Sequence, residues 1–125
     1  MKKIVSTKNA PGAIGPYSQA VWAGDFLHCS GQLGIDPSNG TLAGANVASQ
    51  AEQALRNVEA LLESQGLSIL DVVKALVFLT DMGEFKAFNE VYGKFFKDEP
   101  PARSCVAVSA LPLGGLVEIE VIAHK

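Results

Sequence analysis

Along this chain the apolar positions switch between a period of two and a period near 3.6, and each switch marks an element. Lys2 to Thr7 reads as a short strand. Ser18 to Ala23 and Phe26 to Ser30 flank Gly24-Asp25, a strong hairpin signal. In the second arm Phe26, His28 and Ser30 share one face, and Leu27 and Cys29 share the other. Val47, Ala51, Ala54, Leu55, Val58, Leu61 and Leu62 recur at helical spacing, which predicts a core-facing helix from Val47 to Gln65. Asn46 can cap its start and Gly66 its end, while Glu52, Arg56, Glu59 and Glu63 form a solvated face.

Val72 to Thr80 is apolar at nearly every position except Lys74, the pattern of a central strand covered on both faces. Asp81-Met82-Gly83-Glu84 has capping-box spacing and opens a second helix to about Lys97. Its aromatic stripe of Phe85, Phe88, Tyr92, Phe95 and Phe96 is core, or a subunit contact wherever it is exposed. Pro100-Pro101 cannot continue that helix and forces an extended entry into the next strand. There Ser104, Val106 and Val108 lie on one face, with Arg103, Cys105 and Ala107 on the other. Leu111 to Gly115 is a turn. In the last strand, Val117 to His124, Val117, Ile119 and Val121 oppose Glu118, Glu120 and Ile122.

The order is strand, strand, strand, helix, strand, helix, strand, strand, with no repeat or linker, so residues 1–125 form a single domain. The expected class is α+β: a mixed β-sheet, its strand–helix–strand units parallel and its hairpin antiparallel, with both helices packed on one face. A net charge of −3 argues against a broad phosphate-binding surface. Cys29 and Cys105 have the spacing of neither a disulfide framework nor a zinc site and read as free thiols of a reducing compartment. There is no signal-peptide core and no apolar run of membrane-spanning length, so a cytoplasmic location is expected.

A few residues stand out chemically. Arg103 opens an otherwise small, apolar strand, where its guanidinium is either a fork for a planar carboxylate or a surface ion-pair partner. Tyr17 follows Gly15-Pro16 on a loop, where it either presents its ring to a ligand or packs it on the core. His28 and Cys29 point to opposite faces and cannot pair. His28 and Ser30 share a face, but at about 6.6–7 Å between Cα atoms a direct hydrogen bond is not expected, so His28 reads as a satisfied, partly buried histidine. Gly31 allows close approach of a ligand to the backbone, although Gly31 to Gly34 has no phosphate-loop spacing, and a dense turn signature follows at Asp36 to Gly40. Asn89 beside the aromatic stripe is a structural hydrogen-bonder or a site residue. Glu118 and Glu120 are a solvated edge or an acid/base element.

Four segments, APGAIGPYSQAV, SGQLGIDP, PARSCVAV and VEIEVIA, spread from end to end of the chain, together resemble the RidA family. It is also called YjgF or endoribonuclease L-PSP, and some members are labelled translation inhibitors. The resemblance implies a fold similar to Bacillus chorismate mutase and a homotrimer with ligand clefts between subunits. It implies hydrolysis of 2-aminoacrylate and related 2-imino acids, released by pyridoxal-phosphate dehydratases, to 2-keto acids and ammonia. Carried over by position, Arg103 would hold the substrate carboxylate and Glu118 would steer or deprotonate the attacking water. Tyr17 and Ser30 would line the pocket, Gly31 and Cys105 would contribute mainly backbone groups, and Asn89 is the matching helix asparagine. That chemistry needs no metal, cofactor or activated nucleophile. The alternatives are an endoribonuclease or translation inhibitor, against which the acidic balance weighs, and a non-catalytic trimer that binds small carboxylates. The order of residues leaves open whether Arg103 and Glu118 meet within one chain or between chains.

Overall fold

The computed structural model describes all residues, 1–125, as nine strands and two α-helices. The hairpin forms where Gly24 takes up a left-handed φ of 61°, joining β2 (Ala20–Ala23) to β3 (Phe26–Cys29). Strand β1 (Lys2–Val5) pairs with β2. Three short strands follow: β4 (Gln32–Leu33), β5 (Ile35–Asp36) and β6 (Thr41–Leu42). The sequence pattern shows this stretch only as turn residues, because strands of two residues are too short to display a period. The turn itself survives between β5 and β6, with Gly40 at φ 75°.

Helix α1 (Val47–Glu63) is capped as expected: Asn46 Oδ1 accepts from the Ser49 N–H. Strand β7 (Val72–Leu79) leads to a short 3-10 turn, Met82–Glu84, which takes Asp81 as its cap, and only then does α2 (Phe85–Phe95) begin. The Asp81 signal therefore starts a preliminary turn rather than the α-helix. Strands β8 (Ala102–Ala107) and β9 (Val117–His124) complete the fold, joined by a tight 3-10 turn at Pro112–Gly114.

The main sheet runs β1-β2-β3-β9-β7-β8, with β4 also on β9. Only β7 and β8 are parallel, joined by the α2 crossover. Both helices cover one face of this mixed sheet, the α+β arrangement that the pattern implies. Between them lie Leu27, Leu55, Val58, Leu61, Val77, Phe88 and Ile119, all fully buried. Cys29 belongs to this core, and burial pushes its thiol pKa up to about 12. No helix is long and apolar enough to cross a membrane.

Two expectations are corrected by the other face. β7 is central, but only its helix side is covered: Val72, Ala75, Val77 and Leu79 are buried while Val73 and Lys74 are exposed. Two exposed residues in succession reflect a β-bulge between Val72 and Lys74, which resets the alternation. His28 is likewise exposed rather than partly buried, because β3 turns it onto the same uncovered face.

Candidate functional site

Two groups of predicted residues come together, in two different places. The first surrounds a cavity of about 570 Å³ lined by Tyr17, Gly31 and Glu118, with Leu33, Ile35, Pro112 and Leu113 among its apolar residues. Tyr17 is half exposed, and its hydroxyl oxygen lies 3.5 Å from the Ile14 N–H. The loop that presents it is fastened by one buried side chain, Gln19. Its amide donates to the carbonyls of Thr7 at 3.0 Å, Ala10 at 3.3 Å and Pro11 at 2.8 Å, and its Oε1 accepts from the Thr7 N–H at 2.7 Å. A loop of Pro and Gly cannot satisfy its own backbone, so a buried amide does so.

Glu118 sits on the uncovered sheet face, opposite Leu33 of β4 on one side and Phe78 of β7 on the other. A methyl group on Gly31 would lie 2.8 Å from the Glu118 carboxyl carbon, so the glycine is what leaves the carboxyl its place. Burial raises the pKa of Glu118 above the ordinary carboxylate range, and the neighbouring charge of Glu120 raises it further. At the cavity's edge Leu113 holds a left-handed φ of 58°, a strained conformation for a leucine. Ser30, just beyond β3, donates its hydroxyl to the Ser18 carbonyl at 2.6 Å and its N–H to Gln19 O at 2.9 Å, tying this hairpin arm to the Tyr17 loop.

The second group is Arg103, Asn89 and Cys105. Arg103 Nη1 donates to Asn89 Oδ1 at 2.9 Å, and the guanidinium carbon lies 4.7 Å from the ring centre of Tyr92, 5.6 Å from that of Phe85 and 5.8 Å from that of Phe88. No carboxylate pairs with it. The one ion pair of the chain belongs to the other arginine, Arg56 with Glu52 at 3.8 Å. Cys105 is half-buried on the same face of β8; burial pushes its thiol pKa up, and the Arg103 charge opposes that. A raised pKa keeps it a thiol rather than a nucleophilic thiolate.

Registers decide how these groups relate. Arg103 lies opposite Ala75 of β7 and Glu118 opposite Phe78, three positions along the same strand. Side chains alternate, so Arg103 points to the helix side and Glu118 to the open side of one sheet. Within one chain they do not share a site. No cluster of three or more His, Cys, Asp or Glu side chains is placed to hold a metal ion.

Other polar side chains that shape the cavity escape the pattern reading. Asn57, buried in α1, donates to the carbonyls of Leu33 at 3.1 Å and Ile35 at 2.8 Å, and so holds β4 and β5. Gln50 accepts from the Leu116 N–H at 2.9 Å and donates to the Gly44 carbonyl at 2.9 Å. The available signal is that both stand at apolar-stripe positions of α1, three residues after Ala54 and Val47.

Residues 7–125 match the family described as Endoribonuclease L-PSP. A RutC family protein of Pyrococcus horikoshii is 48% identical over 125 residues, covering 100% of this chain and 99% of the relative. Human 2-iminobutanoate/2-iminopropanoate deaminase is 46% identical over 123 residues, covering 98% of this chain and 90% of that protein. The crystal structure of E. coli TdcF with bound serine superposes with a TM-score of 0.94 at 44% identity, covering 98% of both chains.

Proposed function

The chain belongs to the RidA, or endoribonuclease L-PSP, family, and from that premise we propose that it hydrolyses 2-imino acids and their enamine tautomers, 2-aminoacrylate above all, to 2-keto acids and ammonia. The observation that carries this reading is Arg103. A half-buried guanidinium with a single hydrogen bond, to a neutral amide, and no carboxylate partner keeps most of its donor fork free for an acidic ligand. Relatives at this level of identity support it: one is a 2-iminobutanoate/2-iminopropanoate deaminase and one was crystallised with serine. Serine carries a carboxylate beside a carbon bearing nitrogen, as a 2-imino acid does.

On this reading Arg103 grips the carboxylate and so fixes the adjacent C=N carbon. Glu118 takes a proton from water as its oxygen bonds to that carbon, and the proton passes to nitrogen. Glu118 next takes the proton of the newly formed hydroxyl and passes it to the amino nitrogen, so that the C–N bond breaks, ammonia leaves, and the C–O bond becomes the carbonyl of the keto acid. Such imines already hydrolyse in water, so the barrier needs only modest lowering, about 1.4 kcal/mol for each tenfold. Because the two side chains face opposite sides of one sheet, Arg103 of one copy works with Glu118 and Tyr17 of the next, in a homotrimer with clefts between its subunits. The uncovered sheet face, with Ile4 and Val106 exposed on it, supports such an assembly. Asn89 acts by holding Arg103, Ser30 by holding the Tyr17 loop, and Cys105 as a wall.

The test generates 2-aminoacrylate from serine with a dehydratase and follows keto-acid release. The protein should accelerate release, and Arg103→Ala and Glu118→Gln should each lower that acceleration by about a hundredfold or more. Folded wild-type protein that leaves the rate unchanged sinks the proposal.

A further inference from the structure

Four residues of α2 meet Arg103: Phe85, Phe88, Asn89 and Tyr92, at positions i, i+3, i+4 and i+7 of one helix face. Phe88 and Tyr92 are buried and would be expected in any core. Phe85 is different, since it stays 37% exposed and spends its ring on the guanidinium. Tyr92 has the only buried side-chain polar atom without a hydrogen-bond partner, its hydroxyl. Its ring, nearest of the three to the guanidinium, is thus what it brings to Arg103.

We propose that Phe85, with Phe88 and Tyr92, is a positioning residue: the three rings form an aromatic cage that holds the Arg103 guanidinium in place without neutralising it. Aromatic faces attract a cation through their quadrupole. Unlike a carboxylate, they offer no lone pairs for the in-plane N–H donors, so the fork stays open to a ligand. Arg56 shows the contrast: on the surface it has Phe95 at 5.9 Å but also pairs with Glu52. The cage limits the rotamers of a long side chain before the ligand arrives, which lowers the ordering cost of binding. The proposal rests on Arg103 being the carboxylate fork of the deaminase reading.

The test uses the full-length protein and two readouts, steady-state turnover of 2-aminoacrylate and the Kd of pyruvate as a stable carboxylate probe. Phe85→Leu keeps an apolar side chain and removes the ring. It should raise both KM and the pyruvate Kd about tenfold with kcat within about twofold, the signature of lost uniform binding. Phe85→Trp, which restores a ring face, should restore the low KM. In an Arg103→Ala background Phe85→Leu should change the pyruvate Kd no further. The cage is overturned if Phe85→Leu leaves KM unchanged while Arg103→Ala is inactive, or if Leu and Trp variants lose affinity alike. If Arg103→Ala itself turns over and binds pyruvate normally, the deaminase reading falls, and the cage's role with it.

Discussion

Gly31 and Glu118 approach so closely that one methyl group separates a free carboxyl from a displaced one. A Cβ at position 31 would meet only side-chain atoms of Glu118 and no backbone, and Gly31 is not in the left-handed region, so Ala is compatible with its backbone once that side chain shifts. Gly31→Ala is therefore expected to leave thermal stability within about 1 kcal/mol of wild type while lowering kcat by about a hundredfold, a separation that calorimetry and turnover together would reveal. Glu120 offers a second test. Burial first, and then the Glu120 charge, raise the Glu118 pKa. A general base works when ionised, so the acidic limb of the pH–rate profile follows that pKa. Glu120→Gln removes a like charge, lowers the pKa, and should shift the limb to lower pH; a shift upward, or none, contradicts the assignment. At this scale, which way a side chain points was legible from strand alternation, as for Arg103 against Ser104 or Glu118 against Ile119. Which of two open meanings applied was not: Arg103 has no ion-pair partner only because of how α2 is placed, and strand periodicity carries no information about that.

Elements were legible wherever one face is buried, since burial writes a period into the sequence. Both helices, the hairpin, β7 and β9 follow that rule, and the β7 bulge shows where it breaks. Strands β4 to β6 lie beyond its reach because two residues cannot display a period, and side-chain hydrogen bonds help to hold the first two in place. Asn57 is the clearest case: a helix residue whose amide holds one carbonyl of β4 and one of β5. Asn57→Leu fits the volume but leaves the buried Leu33 carbonyl without that donor, and should cost about 2–3 kcal/mol in denaturant unfolding. It should also lower kcat, since Leu33 stands opposite Glu118 in the ladder. Unchanged activity in a destabilised Asn57→Leu protein would mean that β4 does not set the carboxyl's position.

For the molecule as a whole, one sheet separates the two halves of the proposed chemistry, which makes the assembly testable by mixing. Arg103→Ala and Glu118→Gln chains, each inactive alone, should form active clefts when unfolded and refolded together, wherever an intact Arg103 meets an intact Glu118 across a boundary. Random assembly in a closed ring restores about a quarter of the sites. Hybrid trimers without recovered turnover would place both groups in one chain and defeat the arrangement. The sequence suggests a β7 strand covered on both sides, and the second cover is what another copy would supply.

The deep placement of Cys29 has a consequence of its own. Thiol-directed reagents attack the ionised sulfur, and with a pKa near 12 almost none exists there while the core is closed. Any alkylation found at that position therefore records a moment when the molecule had come apart. The chain carries, between its sheet and its helices, a tally of its own openings.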